Sequence, residues 1–141
     1  MKKIVLLLCT LICANVLMAQ TRFTIGSITY EVIDSNEVKI YDYSGTDSVL
    51  VIPDTVAYQN VNYAVTEIGE YALAFSQSLT TITFPNNIRI INDGAFSSCS
   101  SLDSIIIPNS VTAIEHSTFY GCSSLTSITL HNSITRISPY A

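Results

Sequence analysis

The stretch that decides the fold is Leu102-Asp-Ser-Ile-Ile-Ile-Pro-Asn109, because close copies of it lie 23 residues before it and 23 residues after it. The earlier copy is Leu79-Thr-Thr-Ile-Thr-Phe-Pro-Asn86, and the later copy is Leu125-Thr-Ser-Ile-Thr-Leu-His-Asn132. Residues 79–101 and 102–124 are identical at nine of 23 positions, where chance would give about one or two. Similarity at a fixed period of this length indicates a repeat protein, in which each unit packs only against its neighbours.

Within each unit, apolar and polar side chains alternate as they do in a half-buried β-strand. Ile82 and Phe84 are expected to face inward, whereas Thr81 and Thr83 face outward. Pro85 ends the strand because it has no backbone N–H to donate. Turns or short helical pieces then return the chain to the next coil. Since one coil cannot bury its apolar stripe alone, the sequence predicts a β-rich solenoid of short parallel strands stacked at a 23-residue period.

Asparagines follow the strand in each unit, at the turn that Pro85 begins. Asn86, Asn109 and Asn132 occupy equivalent positions. Asparagine side chains often bond to turn backbone, so we expect these three to satisfy polar groups that the turn leaves open.

The residues before the repeats predict a β-hairpin. Ile28–Ile33 and Val38–Tyr43 are apolar-rich segments separated by the turn residues 34–37. We expect this hairpin to cap the open end of the array, as solenoids require. The aromatic residues of this region are expected to pack within the cap rather than form an exposed patch; they are Phe23, Tyr30, Tyr41, Tyr43, Tyr58 and Tyr63.

The repeats resemble the BspA-like class of leucine-rich repeats, which is abundant in secreted and surface proteins of Bacteroidetes and some protozoa. The pattern Leu-x-x-Ile-x-Ile-Pro-Asn-Ser-Val, followed by Phe-x-x-Cys-Ser-Ser, is close at residues 102–124. The resemblance covers residues 48–141. It implies a leucine-rich-repeat solenoid at the cell exterior, in a family with no common catalytic residues whose members include adhesins.

The first residues have the pattern of a secretory signal peptide. Lys2 and Lys3 precede an apolar run, and the small Ala19 is followed by polar residues. A membrane anchor is the alternative, but the run of about 15 residues is shorter than the 20 or so that span a bilayer. The predicted organisation is a signal peptide at 1–19, an N-terminal β cap at 20–47, an irregular repeat at 48–78, repeats at 79–101 and 102–124, and an incomplete repeat at 125–141.

Charge excludes nucleic acid as a partner. Only 12% of residues are charged, about half the usual share, and the net charge is −5. Removing Lys2 and Lys3 from the six basic residues leaves four against eleven acidic residues, a net charge of −7. Phosphate binding needs a clustered basic surface instead. No membrane span is expected after signal cleavage.

The sequence contains no set of residues that would support catalysis, a cofactor or a metal. Cys99 and Cys122 could form a disulfide in an exported protein, but we favour buried thiols at equivalent repeat positions. His116 falls at an exposed turn and His131 replaces a strand-ending proline, so neither forms a nucleophile–base pair with Cys122. A hydrolase fragment is therefore the least favoured hypothesis.

The outward side chains of the strands are the candidate binding surface. A flat Ser/Thr surface can bind a partner in a solenoid, although it is equally what a solvated β surface carries. The preceding irregular unit contributes Ser48, Val49 and Val51 to the same surface. The candidate binding residues are Thr81, Thr83, Asp103, Ser104, Ile106, Thr126, Ser127 and Thr129.

These features predict an exported, non-enzymatic leucine-rich-repeat protein that binds an extracellular protein or glycan, as an adhesin does. The alternative is a structural or targeting fragment of a larger surface protein, because residue 141 falls within a coil. An uncapped C-terminal coil would also expose its apolar stripe, so self-association is expected.

Overall fold

The structure, a computed structural model, describes residues 21–141, which form twelve β-strands joined by turns and contain no helix. The predicted signal peptide lies outside these residues. The segments that lead from one coil to the next are turns rather than short helical pieces. The strands are β1 Arg22–Ile25, β2 Ile28–Asp34, β3 Glu37–Tyr43, β4 Val49–Val51, β5 Thr55–Tyr58, β6 Val61–Ile68, β7 Thr81–Thr83, β8 Ile90–Ile91, β9 Ser104–Ile106, β10 Ala113–Ile114, β11 Ser127–Thr129 and β12 Arg136–Ile137.

Four short strands form a parallel sheet in the order β11-β9-β7-β4. Ser127 lies beside Ser104, and Ser104 lies beside Thr81, so these neighbouring strands are aligned residue for residue across the 23-residue repeat. Thr81 in turn lies beside Val49, a longer step that accommodates the hairpin of β5 and β6. The strands therefore place equivalent residues of successive repeats in rows.

A six-stranded sheet joins the N-terminal region to the first repeats. Its order is β1-β2-β3-β6-β5, with β8 also paired to β6. The pairs β1–β2, β2–β3 and β5–β6 are antiparallel, whereas β3–β6 and β6–β8 are parallel. Because β3 pairs with β6, the strands β1, β2 and β3 share one sheet with the irregular repeat. Beyond this sheet, β10 pairs with β12.

One hydrophobic core lies between the sheets. It takes Ile40 and Ile68 from the six-stranded sheet, together with Ile82 and Ile105 from the four-stranded sheet. Within the N-terminal aromatic group, the ring of Phe23 stacks on Tyr58, 4.2 Å between centroids. Phe23, Tyr30, Tyr43 and Tyr63 are buried, whereas Tyr41 is exposed. The aromatic residues therefore pack inward as expected, with Tyr41 as the exception.

Hydroxyl groups, rather than the expected asparagines, satisfy carbonyls between coils. Thr126 Oγ1 donates to the carbonyl of Asp103 at 3.2 Å, and Thr135 Oγ1 donates to the carbonyl of Thr112 at 3.1 Å. The prediction for the strand-ending asparagines was wrong, because within residues 21–141 their side chains form no hydrogen bond. All three are exposed to solvent; these residues are Asn86, Asn109 and Asn132.

Candidate functional site

The strand face is the outward side of the four-stranded parallel sheet. Since each strand has only three residues, its middle side chain points to the core and the two outer ones point away. Asp103 and Thr126 are exposed immediately before β9 and β11, with Thr126 Oγ1 3.3 Å from Asp103 Oδ1. All eight candidate residues are exposed and lie on this side of the molecule. The strand face consists of Val49, Val51, Thr81, Thr83, Asp103, Ser104, Ile106, Thr126, Ser127 and Thr129.

The strand face is nearly uncharged and carries exposed β-branched side chains. Asp103 is its one charged residue, and Ile106 on the central strand β9 is 64% exposed. Val49 and Val51 extend the apolar part of the surface along β4. Such a surface can bind a partner through apolar contact and hydroxyl hydrogen bonds, but it offers little charge for long-range attraction.

A shallow groove of about 250 Å³ lies beside the strand face, where β7 and β9 end. Thr83 and Ile106 form its border with the strand face, and the turn residues Asn86, Asn109 and His131 form its far side. His131, which replaces the strand-ending proline of the other repeats, therefore lines a concave surface. The side chains of Asn86, Asn109 and His131 could therefore form hydrogen bonds with a partner bound to the strand face.

Cys99 and Cys122, the two cysteines within residues 21–141, are free thiols. Burial, with a smaller contribution from the nearby Cys122, raises the pKa of Cys99 to about 11. Cys99 Sγ donates to the carbonyl of Leu73, and Cys122 Sγ to the carbonyl of Phe96, each at 3.1 Å. Since the thiolate is the reactive form, a buried thiol that stays protonated at neutral pH has a packing role rather than a chemical one.

His116 contacts a serine and a tyrosine. His116 Nδ1 lies 2.8 Å from Ser117 Oγ, and the ring of His116 meets the edge of Tyr140. Across residues 21–141, no group of three or more His, Cys, Asp or Glu side chains is placed to hold a metal ion. In the same range, no helix is long and apolar enough to cross a membrane.

Comparison with protein families gives a match over most of the repeats. The family described as BspA type leucine rich repeat region matches residues 54–141 in six copies. No protein in the curated set has a matching sequence.

Solved structures of bacterial leucine-rich repeat proteins are similar to this chain. A leucine-rich repeat protein from Bacteroides ovatus is 34% identical with a TM-score of 0.78, over 82% of this chain and 31% of that one. One from Bacteroides capillosus is 24% identical with a TM-score of 0.61, over 80% of this chain and 100% of that one. The pneumococcal vaccine antigen PcpA is 18% identical with a TM-score of 0.59, over 84% of this chain and 40% of that one. The chain thus spans about a third of the length of the B. ovatus protein, and the other two similarities concern the fold alone.

Proposed function

The chain belongs to the family of BspA-type leucine-rich repeat proteins, and on this premise we propose that it is an exported, non-enzymatic binding protein. In this proposal the strand face holds an extracellular protein or glycan, as an adhesin does. The signal-like residues 1–19 support export to the cell surface or the medium. Family membership supports a binding role, since repeat arrays commonly present extended surfaces to partners.

The proposal includes a solenoid architecture with an N-terminal cap. Parallel pairing of Thr81 with Ser104, and of Ser104 with Ser127, supports a stack with a 23-residue period. The antiparallel strands β1 and β2, which continue the sheet beyond β3, support the assignment of a cap. A cap protects the apolar edge of the first coil from solvent and from other chains.

The strand face is the observation that carries the binding proposal. Its outward side chains come from four strands and form a continuous surface with exposed Val49, Val51 and Ile106. Apolar side chains among small hydroxyl groups favour a close-fitting, desolvated contact, and aliphatic residues exposed together are typical of binding surfaces.

A matched pair of variants tests the proposal. The purified protein is screened against immobilised extracellular matrix proteins and a panel of glycans, and each hit is measured again with Ile106→Glu and Ile90→Glu. Both isoleucines are exposed on short parallel strands, Ile106 on the strand face and Ile90 on β8 of the six-stranded sheet. An unpaired polar group buried at a contact costs about 1–3 kcal/mol and a charge costs more, so Ile106→Glu should weaken binding by about tenfold or more.

The control Ile90→Glu should bind as the wild type does. The proposal would be wrong if no member of the panel bound, or if the two variants lost affinity equally.

A structural or targeting role within a larger surface protein is the second candidate. The observation in its favour is that this chain spans only 31% of the B. ovatus protein. Reading the gene beyond the codon for Ala141 separates the two: a frame that continues into a catalytic domain would favour the second candidate, and a stop codon would favour the first.

A further inference from the structure

A second cavity lies on the six-stranded sheet, separate from the strand face. Its volume is about 530 Å³, within the range of about 300–1,000 Å³ that small-ligand sites occupy. The outward side chains of β3 and β6 line it together with the turn after β6 and the residue after β8. This outer pocket is formed mainly by Tyr41, Asp42, Glu67, Glu70, Tyr71 and Asn92.

Tyr71 stands at the outer pocket in a backbone conformation that disfavours a large side chain. Its φ is +53°, and the equivalent residues of later repeats, Gly94, Ser117 and Tyr140, have φ values of +62°, +55° and +57°. A bulky residue with positive φ stores backbone strain, and the stacked coils impose this conformation at the same position of each repeat. The position suits glycine, yet this repeat places an aromatic ring there.

The ring of Tyr71 lies against Gly94, which leaves space for it. A Cβ added to Gly94 would come within 2.3 Å of the Tyr71 ring. Tyr71 is nevertheless 57% exposed. The Tyr71 ring therefore packs against the Gly94 backbone on one side and is open to solvent elsewhere. An aromatic ring held in this way can stack against a ligand.

The remaining groups of the outer pocket are mainly hydrogen-bond acceptors. The half-buried Glu67 carboxylate forms no hydrogen bond or ion pair within residues 21–141, and burial raises its pKa despite the opposing charges of Lys39 and Arg89. Asn92 Nδ2 donates to the carbonyl of Ile68 at 2.8 Å, so its Oδ1 remains an acceptor. Asp42 adds a further exposed carboxylate.

The charges of the outer pocket disfavour an anionic ligand. Three carboxylates line it against one ammonium, that of Lys39, and Lys39 Nζ already lies 2.9 Å from Glu31 Oε1. A ligand must therefore supply donors without a negative charge, and must present an apolar face to Tyr71.

We propose that the outer pocket binds a neutral saccharide, with one sugar ring stacked on Tyr71 and its hydroxyls donating to Glu67 and Asn92. A pyranose ring fits this set because it has an apolar C–H face and a rim of hydroxyl donors. A basic side chain is the competing ligand, since the Arg22 guanidinium already stacks on Tyr41, 3.5 Å from the ring centroid. The saccharide is favoured because Lys39 and Arg89 of the chain itself already offset the charge of Glu67, while Asp42 and Glu70 are exposed and screened by solvent. An incoming cation therefore gains little here for the hydration it loses.

This proposal goes beyond the proposed function, because its residues are separate from the strand face.

An NMR titration tests the saccharide proposal. The ¹⁵N-labelled protein is titrated with neutral gluco-, manno- and xylo-oligosaccharides, and separately with tetralysine, while the amide chemical shifts are followed. At least one saccharide should shift the amides of Gly69, Glu70 and Asn92. Tyr71→Gly, which suits the left-handed backbone, should weaken that affinity by about tenfold.

Tyr140→Gly is the matched control, because it removes an exposed tyrosine at the equivalent repeat position outside the outer pocket. It should leave the affinity unchanged, and the spectra report whether each variant is folded. Three results would overturn the proposal: no saccharide binding up to about 20 mM, equal affinity for wild type and Tyr71→Gly, or binding of tetralysine alone with an affinity that falls as salt is added.

Discussion

At the residue scale, the turns of this protein repeat a left-handed backbone conformation that the amino acids only partly suit. Phe75, Ser98 and Gly121 follow one another at 23-residue intervals and have φ values of +61°, +61° and +76°. Only glycine adopts this region without steric cost, because it lacks a Cβ. Backbone geometry is thus dictated by the stacked coils, and the individual residue accommodates it.

Replacing Phe75 by glycine should stabilise the protein. Phe75 is 69% exposed, so the substitution removes little packing. Relief of the left-handed strain is worth about 1–2 kcal/mol, and the greater flexibility of glycine in the unfolded chain costs about 0.5–1 kcal/mol. Urea unfolding should therefore show a gain of about 0.5–1 kcal/mol in the free energy of unfolding.

Gly121→Ala is the reciprocal control, because it imposes a Cβ on the same repeat position. It should lower the free energy of unfolding by about 1–2 kcal/mol. A loss of stability in both variants would show that the Phe75 ring contributes packing that outweighs the backbone strain.

At the scale of the element, the strands of the last repeat differ from their predecessors. Ile128 in β11 is 41% exposed, whereas the aligned Ile105 in β9 is 2% exposed. β11 is also an edge of the four-stranded sheet, and within residues 21–141 no strand pairs with its outer side. An edge strand that exposes apolar side chains is a template for pairing with another chain.

We therefore propose that the 141-residue chain self-associates through β11. Light scattering should show a mass that rises with protein concentration, and Ile128→Lys should reduce the effect because a charge on an edge strand opposes pairing. Ile25→Lys is the control, since Ile25 is an exposed isoleucine at the edge strand β1 of the other sheet. A monomer at every concentration would contradict this proposal.

The sequence predicts individual strands better than it predicts their partners. Alternation correctly placed Ile82 inward and Thr81 outward, because that choice depends on neighbouring residues alone. The pairing of β3 with β6 was not predicted: it aligns Lys39 with Glu67 after a register shift, and no local pattern encodes a parallel partner 28 positions away. The strand-ending asparagines were misassigned because the sequence does not reveal which turn groups water can reach.

At the scale of the whole molecule, a single core supports two surfaces with different chemistry. The strand face is nearly uncharged, and the exposure of its side chains follows from the alternation within each repeat. The outer pocket draws on residues between Tyr41 and Asn92, which only the pairing of β3, β6 and β8 brings together. Both surfaces exist because successive coils are stacked in one register.

That register is the central claim, and disulfide trapping tests it most directly. Aligned residues on neighbouring strands are about 4.8 Å apart, within the Cα range of disulfides, about 4.4–6.8 Å, whereas diagonal neighbours are about 7–8 Å apart. The variant Thr81→Cys/Ser104→Cys joins aligned positions. The control Thr83→Cys/Ser104→Cys shifts one cysteine by two residues along the same side of β7. Peptide mapping identifies the new bond and separates it from the native Cys99 and Cys122. The aligned pair should cross-link readily and the shifted pair far more slowly; equal or faster cross-linking of the shifted pair would contradict the stacked register.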